Sequence, residues 1–101
     1  MDFEYKANNE EGVLNVYLKG FLDASNAPGL LETMKTYIGS DISKIVFDAK
    51  DLEYIASSGL RVIIFSKQKI GNDAEVILKE PQEGVKLVFQ MSGLMNVVTI
   101  E

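Results

Sequence analysis

The chain has no cysteine, no histidine and no tryptophan, and only two prolines among its 101 residues. Without cysteine there is no disulfide, no thiol nucleophile and no thiolate metal site. Without histidine the usual general base is missing, and so is the commonest zinc ligand. Apolar runs extend only a few residues, far short of the roughly 20 that a membrane-spanning helix needs. Met1 leads directly into Asp2-Phe3-Glu4-Tyr5, with neither a basic n-region nor an apolar h-region. No secretory signal is expected, and the cytoplasm is the default location. Fifteen acidic residues against ten basic ones leave a net charge of -5, the wrong sign for a nucleic-acid surface. What remains, 47% hydrophobic and 25% charged, is the composition of one globular domain over residues 1–101.

The periodicities place the elements. Phe3, Tyr5 and Ala7 alternate with Glu4 and Lys6 as in a half-buried strand. A turn over Asn8–Gly12 then leads to a second strand, Val13 to Leu18, making an antiparallel hairpin. After a Gly20–Asn26 loop, Ala27, Leu30, Leu31, Met34 and Ile38 form a helical stripe. It is opened by Ser25 or Asn26, carries Pro28 in its first turn and is closed by Gly39. Lys44–Asp48 reads as a strand buried on both faces, because Ile45-Val46-Phe47 is uninterrupted. A helix from Ser58 to about Ile70 follows, stopped by Gly71-Asn72-Asp73, and then a strand over Glu75–Lys79. A third helix starts at Pro81 and runs to about Met91. Ser92-Gly93 ends it, Leu94 makes a C-terminal cap contact, and Val97–Ile100 forms a last strand. The order ββαβαβαβ implies an α/β domain with a mixed, mainly parallel sheet packed with helices. In such sheets, sites lie beyond the carboxyl ends of the strands. The Gly20–Asn26 and Asp48–Ser58 loops should therefore meet on one side of the molecule. Val62 and Phe65 are expected to be covered by another helix, Leu87 and Met91 to pack in the core, and Lys67, Lys69 and Lys79 to be solvated.

The most informative stretch is Tyr54-Ile55-Ala56-Ser57-Ser58-Gly59-Leu60, at the junction between a strand and a hydrophobic helix. One of its serines is expected as the N-cap, with an exposed hydroxyl close to unpaired backbone N–H groups. Such a position favours a phosphate, because the helix end attracts negative charge. Read by residue type alone, Ser58 is a cap and Asp23 a turn residue.

Together with Gly20-Phe21-Leu22-Asp23-Ala24-Ser25-Asn26-Ala27-Pro28, this stretch resembles the STAS family, and within it the bacterial anti-sigma-factor antagonists. The resemblance covers essentially the whole chain. It implies a single STAS-like domain that binds an anti-sigma factor, itself a serine kinase, and thereby releases a sigma factor. The serine before Gly-Leu is the family's phosphorylation site, so the resemblance makes Ser58 the acceptor, whose phosphorylation releases the partner. It also implies a partner-binding surface comprising Asp23, Ser25, Asn26, Ala56, Ser57, Gly59, Leu60 and Arg61. No cofactor, metal, nucleic acid or membrane insertion is implied, and the expected state is a monomer or weak dimer. Two positions depart from the family pattern. Ala56 stands where the family usually has Asp, and Phe21 replaces the usual acidic residue two positions before Asp23. The alternative is a non-phosphorylated STAS scaffold or a small subunit of a transport complex. An enzyme built on Ser58 with Lys50 as base lacks the Gly-x-Ser-x-Gly setting, and no phosphate-cradling Gly-x-x-x-x-Gly-Lys run occurs, so no catalysis is expected.

Overall fold

A computed structural model describes residues 2–39, 41–71 and 73–101. Asn72, part of the expected stop after the second helix, lies outside the described residues. Strands β1 (Phe3–Glu10) and β2 (Val13–Leu22) pair antiparallel, with Tyr5 opposite Leu18. Their hairpin turn is shorter than expected. Only Glu11 and Gly12 link the strands, at φ 53° and 87°, and a two-residue type I′ turn requires positive φ at both positions. The Asn9 side chain braces it by accepting the Gly12 N–H at 3.0 Å.

Helix α1 (Ala27–Ile38), strand β3 (Lys44–Ile55), helix α2 (Ser57–Ile70), strand β4 (Glu75–Lys79), helix α3 (Glu83–Met91) and strand β5 (Thr99–Ile100) complete the expected ββαβαβαβ order. The sheet order is β1-β2-β3-β4-β5, with every pair after the first hairpin parallel. Each crossover therefore steps one strand along in the same direction. Right-handed connections then place all the helices on one face. The core shows this directly: Leu14, Val16 and Leu18 of β2 and Ile45 and Phe47 of β3 share one apolar cluster with Leu30 and Met34 of α1, Leu60 and Ile63 of α2, and Val85 and Phe89 of α3.

The reading of β3 as buried on both faces is thereby corrected. Ile45 and Phe47 are buried, whereas Val46 and Asp48 are half-buried on the face without helices. Both central strands also run further than expected. β2 reaches Leu22 and β3 reaches Ile55, because two register shifts insert extra β3 residues, one between Tyr17 and Lys19 and one between Gly20 and Phe21. Such bulges bend a strand without ending it. The expected Asp48–Ser58 loop thus shrinks to Ala56 alone between β3 and α2.

Helix α3 begins at Glu83 rather than Pro81, with Gln82 as N-cap in an extended conformation. A residue preceding the helix suits proline, whose missing N–H costs nothing there. The expected stop is found as a Schellman motif: Gly93 at φ 71° donates to Gln90 at 3.3 Å and Leu94 to Phe89 at 3.0 Å. Strand β5 starts at Thr99, two residues later than expected. Val62 is buried and Phe65 half-buried, but Leu87 and Met91 are 51% and 80% exposed. Their expected place in the core is wrong because α3 turns Val85 and Phe89 inward, and Leu87 and Met91 project from its other side.

Candidate functional site

Strand β2 ends at Leu22 and is followed by a turn that satisfies itself. One carboxylate oxygen of Asp23 accepts the Ser25 N–H at 3.0 Å and the Ser25 hydroxyl at 2.6 Å. The Ser25 hydroxyl, then the Ser25 amide, hold the Asp23 carboxyl below its ordinary pKa of 3.8, by stabilising the carboxylate. Asn26 occupies the N-cap position of α1 but makes no side-chain cap bond. Its amide clamps the turn instead, accepting the Asp23 N–H at 2.9 Å and donating to the Phe21 carbonyl at 2.8 Å. Asp23 is thus presented in a fixed orientation, with Ser25 exposed beside it.

The end of β2 and the start of α2 are tied together by a bond from the Ala56 N–H to the Leu22 carbonyl, 2.8 Å. The two motif segments therefore converge, as expected from topology. Gly59 makes the close approach possible. It is buried, and a Cβ added there would lie 2.7 Å from Leu22 Cγ and 2.8 Å from Ile55 Cγ1, inside any tolerable contact.

The serines open the helix as expected, but neither is its cap. Ala56, at φ −88° and ψ 172°, is the N-cap, and its carbonyl accepts the Gly59 and Leu60 N–H groups at 3.0 and 3.1 Å. Ser57 and Ser58 are the first two helical residues, so neither can cap α2. Alanine has no oxygen to offer, and α2 has no side-chain cap and no acidic residue in its first turn. No side chain of its own first turn offsets the positive character of this helix end. Ser57 is exposed, but the Ser58 hydroxyl is not: its Oγ is buried and has no hydrogen-bond partner. The rest of Ser58 helps line a cavity of ≈ 340 Å³ between α1 and α2, together with Ala24, Ala27, Pro28, Leu31 and Phe65.

Of the other residues expected at the partner surface, Arg61 is exposed and Ala56 partly so. Gly59 and Leu60 are not at the surface; they are buried and shape the turn rather than face outward. Sequence reasoning missed Leu22, whose carbonyl and side chain join the two segments. Phe21 is half-buried and tilts against exposed Tyr54, ring centroids 5.9 Å apart.

Residues 4–101 match the model of the STAS domain family. The chain belongs to the STAS family. This STAS domain is 30% identical over 91 residues to BtrV of Bordetella bronchiseptica, which is assigned to the anti-sigma factor antagonists; the match covers 89% of this chain and 78% of BtrV. Its fold is shared with the unphosphorylated anti-sigma factor antagonist SpoIIAA, at TM-score 0.86, 21% identity and coverage of 97% of this chain and 88% of that one. An anti-sigma factor antagonist from Mycobacterium paratuberculosis superposes with TM-score 0.87 at 18% identity, over 98% and 85% of the two chains. The phosphorylated form of Bacillus SpoIIAA gives TM-score 0.77 at 20% identity, over 97% and 91%. The similarity by sequence is thus to a protein assigned to the anti-sigma factor antagonists, and the solved structures share the fold. Among the described residues no group of acidic side chains is placed to hold a metal, and no helix is long and apolar enough to cross a membrane.

Proposed function

We propose that this STAS domain is an anti-sigma-factor antagonist whose grip on an anti-sigma factor with serine kinase activity is gated by phosphorylation of Ser58. The observation that carries the reading is the Ala56–Leu22 bond, which sets the Asp23 turn and the Ser57-Ser58 helix start side by side. Asp23, Ser25, Ser57 and Arg61 are the side chains offered to the partner, framed by Asn26 and Ala56. A phosphoserine adds about -1.5 to -2 charges. Here that charge would enter a region containing Asp23, on a chain of net charge -5. A fall from micromolar to millimolar affinity takes about 4 kcal/mol, within reach of desolvating a phosphate against a surface not built for it. The unpaired N–H groups at the start of α2 accommodate the phosphate in the free domain, so the gate acts on the interface and leaves the fold intact. Because Ser58 Oγ faces inward, the kinase must first meet a rotated side chain; one change of χ1 well suffices to redirect a hydroxyl. The reading places the protein in the cytoplasm, as a monomer or weak dimer that contacts neither nucleic acid nor the bilayer interior.

The test is a pull-down from extract of the source cells with wild type, Ser58→Ala and Ser58→Asp, combined with intact-mass analysis of the endogenous protein. The reading expects a gain of about 80 Da at Ser58 and a kinase-like partner retained by wild type and Ser58→Ala but lost by Ser58→Asp. The buried Ser58 hydroxyl and the missing carboxylate at position 56 favour one second reading, a constitutive STAS scaffold or small subunit of a transport complex. Identical partners for all three forms and no phosphate would establish that instead.

A further inference from the structure

The cavity that Ser58 lines has a neighbour along α1 and α2, and the two together form a longer depression. Phe65 lines both this cavity and a second one of ≈ 570 Å³, which extends the groove to Lys35, Ile38 and Gly39 at the far end of α1 and Lys69 near the end of α2. From Ser58 to Lys69 the α2 side of the groove runs 11 residues, about 16 Å at 1.5 Å per residue, or three helical turns. The floor nearest Ser58 is apolar, made by Ala27, Leu31, Val62 and Phe65.

The rim differs in charge from the rest of the molecule. On a chain of net charge -5, Arg61, Lys35 and Lys69 stand exposed along this groove. Two of these cations flank the ring at its centre: Lys35 Nζ lies 5.9 Å and Lys69 Nζ 5.7 Å from the Phe65 centroid. The carboxylate that pairs with this rim is Glu32, 3.7 Å from Lys35. Both side chains are largely exposed, so the pair is easily exchanged for a stronger one.

An apolar trough three turns long, basic along its rim, suits one kind of occupant. We propose that this groove seats an acidic amphipathic helix of the partner protein, its apolar side chains at i, i+3, i+4 and i+7 against Leu31 and Phe65, and its carboxylates on Lys35, Arg61 and Lys69. The proposal rests on the reading of this domain as a protein-binding module. It extends the contact surface well beyond Asp23 and Ser58. It also makes the gate more direct, because a phosphate on Ser58 would stand at the mouth of the groove and repel an acidic helix.

The probe is a pair of fluorescein-labelled synthetic helices of about 14 residues, with leucines at those four spacings and either glutamate or lysine elsewhere. Each is titrated into the full chain at low salt and at about 0.3 M salt, with amide chemical shifts recorded on the labelled protein. The acidic helix should bind at least about tenfold tighter than the basic one and weaken in salt. Its shifts should be confined to α1 and α2. Lys35→Glu/Lys69→Glu should remove that preference, and Phe65→Ala should weaken binding while leaving the amide spectrum of the free domain dispersed. Equal binding of both peptides, no binding of either, or shifts centred on Leu87 and Met91 of α3 would overturn the proposal. The two readings fail separately. A Ser58-dependent native partner that binds Lys35→Glu/Lys69→Glu normally would discard the groove and keep the gate. An acidic helix seated in the groove of a domain whose partners ignore Ser58 would do the reverse.

Discussion

Replacing Ser58 by alanine separates two physical accounts of how α2 begins, because they predict opposite signs. If Ser58 capped the helix, its loss would cost about 0.5–2 kcal/mol. In the structure it is the second helical residue, with a buried hydroxyl and no partner. A buried hydroxyl without a hydrogen bond carries a desolvation penalty of about 1–3 kcal/mol, which alanine abolishes. Ser58→Ala is therefore expected to stabilise the domain by about 1 kcal/mol. For a domain near 100 residues that is a rise in Tm of about 4–8 °C. Ser57→Ala is the internal control. It makes the same change one residue earlier, at an exposed side chain, and should fall within about 0.5 kcal/mol of zero. Differential scanning calorimetry of wild type and both variants decides the matter. A fall in Tm for Ser58→Ala of about the same size would refute the reasoning, since it would mean that the hydroxyl is bonded and Ser58 is holding the helix end.

The complementary change should also stabilise: Ala56→Asp places a carboxylate at the true N-cap, where the backbone is already extended, and should add about 1 kcal/mol in urea denaturation. Gly59→Ala should cost about 1–3 kcal/mol in the same assay, because the new methyl meets Leu22 and Ile55 at 2.7–2.8 Å and the junction of β2 with α2 must open. Tyr17 gives a pH signature. Its hydroxyl donates to Asp51, and with nearby acids also opposing the phenolate its pKa is pushed from 10.0 up to about 12. A raised pKa favours the neutral phenol in the folded state, so this contribution is complete below pH 10 and is lost as pH rises through about 12. Ultraviolet titration should show a phenol ionising late, and Tyr17→Phe should remove that late step. Asp23 has the opposite sense. Its folded pKa lies below 3.8, so its contribution is present at neutral pH and is lost as pH falls through the folded value. Asp23→Asn should flatten the acid limb of the stability–pH curve there.

Much of this domain could be read without coordinates because its signals are local. Alternation in Phe3–Ala7, the helical stripe from Ala27 to Ile38 and the Gly93 stop each depend on residues a few positions apart, and each is found. The convergence of the two motif loops also followed, since a mainly parallel sheet constrains where strands end. What only the tertiary structure decided depends on partners distant in sequence. The bulges that carry β3 to Ile55 arise from its register against β2, and no periodicity within β3 reveals them. One bare face of the sheet follows from all crossovers stepping the same way, so an apolar run such as Ile45-Val46-Phe47 was misread as doubly covered. Leu87 and Met91 have the residue type of a core but stand on the outer side of α3, a matter of helix rotation that composition cannot encode. At the site, the sequence by itself determined that a Ser-Ser-Gly segment would open a helix beside the Asp23 turn. Which residue capped that helix, and which way Ser58 pointed, depended on one backbone bond to Leu22 and on α1 packing alongside, contacts that exist only once the chain has folded.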